Sequence, residues 1–151
     1  MALIADSGGI YALYDASDRN HRAVRRAVEA EPGPLVLPSP VLGEIDYLLR
    51  MRIGVEAELR FLEGIESGAL TVEPFTKRDS VLCRTLLSKY RELDLGLADA
   101  SVIATAERLG VRRILTVDER DFRAVRSQDG EAFVLVPRDE RGTGGMKSDR
   151  R

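Results

Sequence analysis

The chain has 151 residues, of which 44% are hydrophobic and 32% charged, and its formal net charge is −2 at pH 7. A chain of this length can bury a single hydrophobic core. Because no apolar run approaches the roughly 20 residues of a membrane span and no low-complexity tract is present, the composition excludes a membrane-spanning or low-complexity protein and predicts one soluble globular domain.

Short apolar runs alternate along the chain with longer amphipathic segments, which is the pattern of βαβ units and a parallel sheet. We therefore predict an α/β fold with a central parallel sheet of roughly four to five strands flanked by helices. In chain order, the predicted elements are a strand at 2–5, a helix through 10–14, a helix at 21–30, a strand at 35–37, a helix that begins with Ser39 as its N-cap, a helix at 55–65, a strand at 70–72, helices at 79–93 and 97–109, a strand at 113–117 and an edge strand at 133–136.

The end of the chain is predicted to lie outside this fold. Pro137 follows the last strand, and from Asp139 onward the sequence is rich in glycine and charged residues, a composition typical of disorder. The expected organisation is a domain of residues 1–138 followed by a flexible charged tail of residues 139–151.

The cysteine and the basic residues bear on the cellular compartment of the protein and on whether it binds nucleic acid. The beginning of the chain shows no secretion-signal pattern, and the single Cys83 lies among apolar residues, so we expect a core thiol in a cytoplasmic protein. Only three of the 23 basic residues are lysines. Arginine suits phosphate recognition, but a GC-rich genome produces the same bias. Charge alone therefore neither requires nor excludes nucleic acid.

Four acidic residues stand where the surrounding pattern predicts a core or a sheet edge. Asp6 and Asp118 follow predicted parallel strands, and the carboxyl ends of such strands carry the ligand sites of open α/β sheets. Glu44 falls on the apolar stripe of its helix or at the margin of that stripe. Asp99 heads the face of the helix at 97–109 that should pack inward.

A cluster of carboxylates at this edge requires a counter-charge. Ionised carboxylates are costly in a low-dielectric site and raise one another's pKa. Oxygen ligands favour Mg²⁺ or Mn²⁺ over zinc, and the single histidine, His21, excludes a site built from several histidines. Each acid also has a structural alternative, namely a helix cap for Asp6, a helix-dipole partner for Asp99, a half-exposed surface acid for Glu44 and a turn residue for Asp118.

Four short segments that contain these acids share their pattern with a known family. They are Leu3-Ile4-Ala5-Asp6-Ser7, Pro38-Ser39-Pro40-Val41-Leu42-Gly43-Glu44, Leu95-Gly96-Leu97-Ala98-Asp99-Ala100 and Leu115-Thr116-Val117-Asp118-Glu119-Arg120-Asp121-Phe122. Each segment alone is a weak signal, whereas four in this order are specific. Over nearly its whole length the chain resembles the PIN-domain nucleases, and in particular the VapC-like toxins of toxin–antitoxin modules.

The resemblance implies a parallel sheet flanked by helices and metal-dependent cleavage of RNA that leaves 5′-phosphate and 3′-hydroxyl ends. It assigns Asp6, Glu44, Asp99 and Asp118 to an acidic tetrad that binds Mg²⁺, with Mn²⁺ as the alternative. Asp121 is either a further acid of this site or a helix cap.

Other residues take accessory roles by the same resemblance. Ser7 and Thr116 resemble hydroxyls that line such sites and hold a water or a phosphate oxygen; the alternatives are a helix cap and a buried strand residue. His21 recurs in the family, and we interpret it as structural. The arginines that would bring RNA to the acids are not identified, and the candidates are Arg19, Arg22, Arg25, Arg26, Arg120 and Arg123.

The resemblance implies RNA as substrate, a homodimer, and a small antitoxin protein as partner. The helices between Tyr47 and Ile65 carry more apolar residues than one face readily buries, so we expect the interface there. Two alternative functions stay open: an RNA-processing PIN nuclease without an antitoxin, and an inactive PIN module that only binds RNA or protein. An intact set of acids argues against the second.

Overall fold

The computed structural model describes residues 2–143, and their side chains as far as Glu140. It contains five strands, seven α-helices and two short 3-10 helices. The elements in chain order are β1 (Leu3–Ala5), α1 (Ser7–Tyr14), α2 (His21–Ala30), β2 (Leu35–Pro38), a 3-10 helix (Ser39–Val41), α3 (Leu42–Arg52), α4 (Val55–Glu66), β3 (Leu70–Glu73), α5 (Lys77–Lys89), α6 (Leu97–Leu109), β4 (Arg113–Leu115), α7 (Arg120–Ala124), β5 (Val134–Val136) and a second 3-10 helix (Arg138–Thr143).

The five strands form one parallel sheet in the order β3-β2-β1-β4-β5. Ile4 in β1 lies opposite Val36 in β2 and Ile114 in β4. After β1 the chain builds β2 and β3 on one side of that strand, and it then adds β4 and β5 on the other. The carboxyl ends of β1 and β4 therefore flank the point at which the strand order reverses, where open α/β sheets bind their ligands.

The core lies between the sheet and its helices. Every residue of β1 and β2 is buried, and so are all residues of α6 from Ala100 to Ala106. Helix α6 packs against β1, β2 and β4 and contacts α5, while α1 contacts α2 and α3, and α3 contacts α4. The predicted α/β fold with a parallel sheet flanked by helices is confirmed.

A close contact between α1 and β4 depends on Gly9. A Cβ atom at this position would lie 2.5 Å from the Leu115 carbonyl oxygen, far inside van der Waals contact. The Asp6 N–H donates to the same oxygen at 3.1 Å. Glycine thus allows the first turn of α1 to lie directly against the end of β4.

Three local predictions were wrong in detail. Ser39 does not cap α3, because residues Ser39–Val41 form a separate 3-10 helix; the Ser39 Oγ accepts a hydrogen bond of 3.0 Å from the Phe75 N–H. Helix α5 begins two residues earlier than expected, since Thr76 and Asp79 form a reciprocal capping box. Strand β4 ends at Leu115 instead of Val117.

The first residues of the predicted tail contact the rest of the chain. Asp139 accepts a hydrogen bond of 2.7 Å from the Leu135 N–H and forms an ion pair with Arg123. Glu140 forms an ion pair of 2.7 Å with Arg113. Residues 144–151 of the predicted tail lie outside the described residues, and the division of the chain at 138 stays a prediction.

Two further sequence predictions are confirmed. Cys83 is buried, and burial raises the pKa of its thiol to about 11, as expected for a core cysteine. The His21 Nδ1 lies 2.7 Å from the Ala12 carbonyl oxygen and joins α2 to α1, which is a structural role.

In the described part of the chain, no helix has both the length and the apolar character needed to cross a membrane.

Candidate active site at the carboxyl ends of β1 and β4

Asp6 occupies the centre of the predicted site and also caps a helix. It follows β1 directly, is 6% exposed, and is the N-cap of α1. Its Oδ1 accepts a hydrogen bond of 2.7 Å from the Gly9 N–H, and its Oδ2 accepts one of 2.5 Å from the Thr116 hydroxyl. The cap and the site are therefore not alternatives, because one carboxylate serves both.

The environment of Asp6 disfavours its ionised form. Burial raises the pKa of Asp6 to about 7, although the hydrogen bonds from Thr116 and Gly9 favour the carboxylate. The charges of Asp99 and Asp118 raise the pKa further. A carboxylate with this pKa, close to two other acids, is in a place where a cation would be stabilising.

Thr116 connects the ends of β4, β1 and β5. It is 2% exposed and directly follows β4. Besides its hydrogen bond to Asp6, its Oγ1 accepts one of 3.2 Å from the Asp118 N–H, and its own N–H donates to the Val136 carbonyl oxygen at 3.0 Å. Thr116 thus holds the loop that carries Asp118 against the buried Asp6.

Asp99 lies in the first turn of α6 and is half-buried, whereas Val102, Ile103 and Ala106 on the same helix face are fully buried. Burial raises the pKa of Asp99, against a backbone hydrogen bond at Gly96. The charges of three further acids raise it too; they are Asp121, Glu44 and Asp118. Asp99 therefore lies within electrostatic reach of the other four predicted acids.

The peripheral acids are more accessible than their sequence pattern predicts. Glu44 is exposed and so does not lie on the buried stripe of its helix itself, which leaves the margin of that stripe as its place. The buried residues of α3 are Ile45 and Leu49, and Glu44 precedes Ile45 in the first turn, on a different face. Asp118 is also exposed, and Asp121 is half-buried in the first turn of α7.

The accessory predictions have mixed outcomes. Thr116 contacts Asp6 directly, while Ser7 is the first residue of α1 and not its cap, since Asp6 holds that position. The role of Gly9 was not predicted. Its signal in the sequence is a glycine pair, Gly8-Gly9, that begins a helix directly after a strand-ending aspartate.

The donor chemistry suits a hard divalent cation, because every acid offers carboxylate oxygens. Within the part of the chain whose side chains are described, however, no three histidine, cysteine or carboxylate side chains are grouped closely enough to hold a metal ion together. The Asp6 side chain is buried and that of Asp99 half-buried, whereas the Asp118 and Glu44 side chains are exposed.

Comparison with known proteins gives one sequence family. The profile of the PIN domain matches residues 3–127. The ribonuclease VapC26 from Mycobacterium tuberculosis is 33% identical over 135 residues, which cover 89% of this chain and all of that protein.

Solved structures share the fold. VapC20 from Mycobacterium tuberculosis, a toxin that cleaves the sarcin–ricin loop, matches with a TM-score of 0.71 and 24% identity over 77% of this chain and 89% of that one. A DNA-bound VapBC structure from Salmonella typhimurium matches with a TM-score of 0.66 and 17% identity over 89% and 98% of the two chains. From the match to the family profile and the extent of the similarity to VapC26, the chain belongs to the PIN-domain family as a VapC-like member.

Proposed function

We propose that the chain is a metal-dependent endoribonuclease that hydrolyses RNA phosphodiester bonds and acts as the toxin of a toxin–antitoxin pair. The observation that carries the catalytic part is the buried Asp6, held by Thr116 and Gly9 at the sheet edge and surrounded by the charges of further acids. Similarity to a ribonuclease over the whole length of that relative supports the choice of substrate.

The acids have different roles in this proposal. Asp6 and Asp99 are held on rigid elements, the end of β1 and the first turn of α6, and would anchor the cation. Asp118 and Glu44, with Asp121 beside them, would complete its ligand set from the solvent side. Thr116 is a positioning residue, because it orients the Asp6 carboxylate and the Asp118 backbone.

The cation would be Mg²⁺, with Mn²⁺ as the alternative, since both prefer carboxylate oxygens. When bound, it would supply a water of lowered pKa and charge stabilisation at the phosphate. Without it, the acids repel an RNA backbone as well as each other.

The regulatory part of the proposal rests on relatives and on one surface. Solved structures with this fold include a toxin–antitoxin complex from Klebsiella pneumoniae and DNA-bound VapBC proteins from Salmonella typhimurium and Rickettsia felis, so we propose an antitoxin partner and action in the cytoplasm. The apolar side chains exposed on α3, α4 and the turn between them would form a homodimer interface. They are Tyr47, Met51, Ile53, Val55, Leu59 and Leu62.

Cleavage of a structured RNA by the purified protein, followed by sequencing of the new ends, tests the catalytic proposal. We expect 5′-phosphate ends with Mg²⁺ or Mn²⁺, no cleavage in EDTA, and none with Asp6→Asn, which keeps the helix cap because asparagine is also a good N-cap. Asp94→Asn, at an exposed position before α6, is the matched control and should cleave normally.

Equal cleavage by Asp6→Asn, or undiminished cleavage in excess EDTA, would contradict the metal-dependent mechanism. If the protein cleaves RNA but no small protein encoded beside its gene neutralises this activity, an RNA-processing nuclease without an antitoxin would be favoured instead. RNA binding without cleavage under any metal would favour an inactive module.

A further inference from the structure

A basic groove lies beside α2, outside the group of acids. It has a volume of about 530 Å³ and is lined by Arg19, Arg22 and Arg26, together with Pro137 and Glu140. We refer to it as the α2 groove. The wall thus carries three arginines and one acid, and the Glu140 carboxylate pairs with the Arg113 guanidinium.

The three arginines line the same groove, two of them from α2 and one from the turn before it. Arg22 and Arg26 are one helical turn apart in α2, and Arg19 precedes Arg22 by three residues. All three are exposed, and none forms an ion pair or a side-chain hydrogen bond within the part of the chain whose side chains are described. Arg25, on the same helix, behaves differently, because it pairs with Glu29 at 2.7 Å and does not line the groove.

This arrangement is unfavourable for the isolated helix. Like charges one turn apart repel, as Arg22 and Arg26 do. A cation in the first turn also opposes the helix dipole, and the first turn of α2 contains no acidic residue to compensate for Arg22. Among the described side chains no acid forms an ion pair with Arg19, Arg22 or Arg26, so their guanidinium groups are available to an anionic ligand.

The wall of the α2 groove reaches the same edge of the sheet as the proposed active site. Pro137 in this wall directly follows β5, and the carboxyl ends of the parallel strands β1, β4 and β5 lie at one edge. The Val136 carbonyl oxygen accepts the Thr116 N–H at 3.0 Å, and the Thr116 hydroxyl donates to Asp6. Val136 of β5 and Thr116, which follows β4, therefore link the wall of the groove to the central acid.

We propose that the α2 groove binds the phosphodiester backbone of the RNA substrate on one side of the cleavage point, through Arg19, Arg22 and Arg26. This inference rests on the proposed ribonuclease function. The acids repel phosphates and the net charge of the chain is −2, so local cations have to attract the substrate. The guanidinium group of an arginine can donate two parallel hydrogen bonds to the oxygens of one phosphate. An acidic protein segment has no need to reach Asp6, whereas a substrate backbone does, which favours RNA as the occupant.

Binding of a fluorescein-labelled single-stranded RNA of about 20 nucleotides, measured by anisotropy in EDTA over a range of NaCl concentrations, tests the proposal. We expect the double variant Arg22→Gln/Arg26→Gln to weaken binding at least about tenfold at about 100 mM NaCl and to reduce the slope of log K against log salt by about 1.4, the value for two lost phosphate contacts on a single strand. Arg25→Gln is the matched control and should bind within about twofold of the wild type.

Circular dichroism of each variant checks that these exposed substitutions leave the fold intact. An equal affinity and salt slope for the double variant and the wild type would overturn the proposal. The proposal would also be overturned if a polyglutamate peptide bound through Arg22 and Arg26 while RNA binding did not depend on them. The groove would then bind an acidic protein. Because binding is measured without metal, the result does not depend on cleavage. A wild type that binds RNA but never cleaves it would refute the proposed function and leave the proposal for the α2 groove standing.

Discussion

The Thr116 hydroxyl donates a hydrogen bond to the Asp6 Oδ2 and joins two residues that lie 110 positions apart in the chain. The Thr116 Oγ1 also accepts a hydrogen bond from the Asp118 N–H. A single buried side chain thus sets the relation between the central acid and the loop that carries a peripheral one. The geometry of the proposed site in this chain therefore depends on a residue that is not itself an acid.

Replacement of this hydroxyl by a methyl group, Thr116→Val, should destabilise the protein by about 1–3 kcal/mol at pH 8, because it leaves a buried carboxylate with one fewer donor. The loss should be smaller at pH 5, where Asp6 is protonated in the folded state. Urea unfolding at both pH values measures the difference. Thr116→Ser keeps the hydroxyl and should recover most of the stability, and a similar loss at both pH values would show that the hydrogen bond to ionised Asp6 is unimportant.

Gly9→Ala should destabilise the protein by about 1–3 kcal/mol, the usual cost of overpacking a tight site. The added Cβ would meet the Leu115 backbone oxygen at 2.5 Å, which cannot rotate away as a side chain would. Gly43→Ala is the control, because a Cβ there has no atom within 4 Å and the position is helical. It should stabilise the protein by about 0.5–1 kcal/mol. Thermal melts of both variants give the comparison, and a Gly9→Ala melt equal to the wild type would refute the close contact.

Elements with strong local signals could be predicted from the sequence. Helix α6 was predicted with its observed ends, because apolar spacing marks its inner face and Gly110, with φ of 65°, ends it in the left-handed conformation. Residues whose role depends on distant partners could not be predicted in this way. The exposure of Glu44 could not be derived from its spacing to Val41 and Leu48 alone, and the contact of Thr116 with Asp6 becomes visible only when β4 lies next to β1.

The ion network around Arg108 should make stability depend on pH. Arg108 contacts Asp79 at 3.0 Å and Glu73 at 2.6 Å, and the Asp79 side chain is 3% exposed. Burial alone would raise the pKa of Asp79, but hydrogen bonds from Arg108 and Thr76 outweigh it and hold the pKa below its ordinary value. The stabilisation is therefore present above the unfolded-state pKa of about 3.9 and is lost as the pH falls through the lower folded-state pKa.

Arg108→Met leaves Asp79 buried without its cation and should lower the free energy of unfolding by about 3 kcal/mol at pH 7. This is the lower end of the range for a broken buried ion pair, because Arg108 is partly accessible. The difference from the wild type should shrink towards pH 3, since Asp79 is then protonated in the variant. Denaturant unfolding across this pH range measures it. Arg84→Met, at an exposed position of α5, is the control and should have little effect; a variant difference that does not change with pH would show that loss of packing, not of charge, causes the effect.

Charge placed on the exposed apolar face of α3 and α4 should prevent dimerisation. Met51 and Leu59 are 67% and 46% exposed, so glutamate at both positions can be hydrated in a monomer but not in an apolar interface. We expect a dimer mass for the wild type and a monomer mass for Met51→Glu/Leu59→Glu by light scattering. Val81→Glu, 54% exposed on α5, is the control and should remain dimeric. A wild type that is monomeric at every concentration would remove this face as a homodimer interface.

Asp99→Asn distinguishes a metal-site acid from a helix-terminal acid, because the two roles predict opposite changes in stability. As a first-turn acid of α6, Asp99 would favour the helix dipole, and its loss would cost about 0.3–1 kcal/mol. The raised pKa of Asp99 shows instead that burial and the charges of Asp121, Glu44 and Asp118 disfavour its ionised form. A raised folded-state pKa gives a contribution that is fully present below the unfolded-state pKa and is lost as the pH rises through the folded-state value.

At pH 8, therefore, Asp99→Asn should melt higher than the wild type when both are free of metal, and it should lose cleavage. Magnesium should raise the melting temperature of the wild type, because it binds only the folded state, and should raise that of the variant much less. Thermal melts with Mg²⁺ and with EDTA, paired with a cleavage assay on the same preparations, measure all three effects. A variant that melts lower than the wild type in EDTA, responds to magnesium as the wild type does and still cleaves RNA would show that Asp99 only completes its helix.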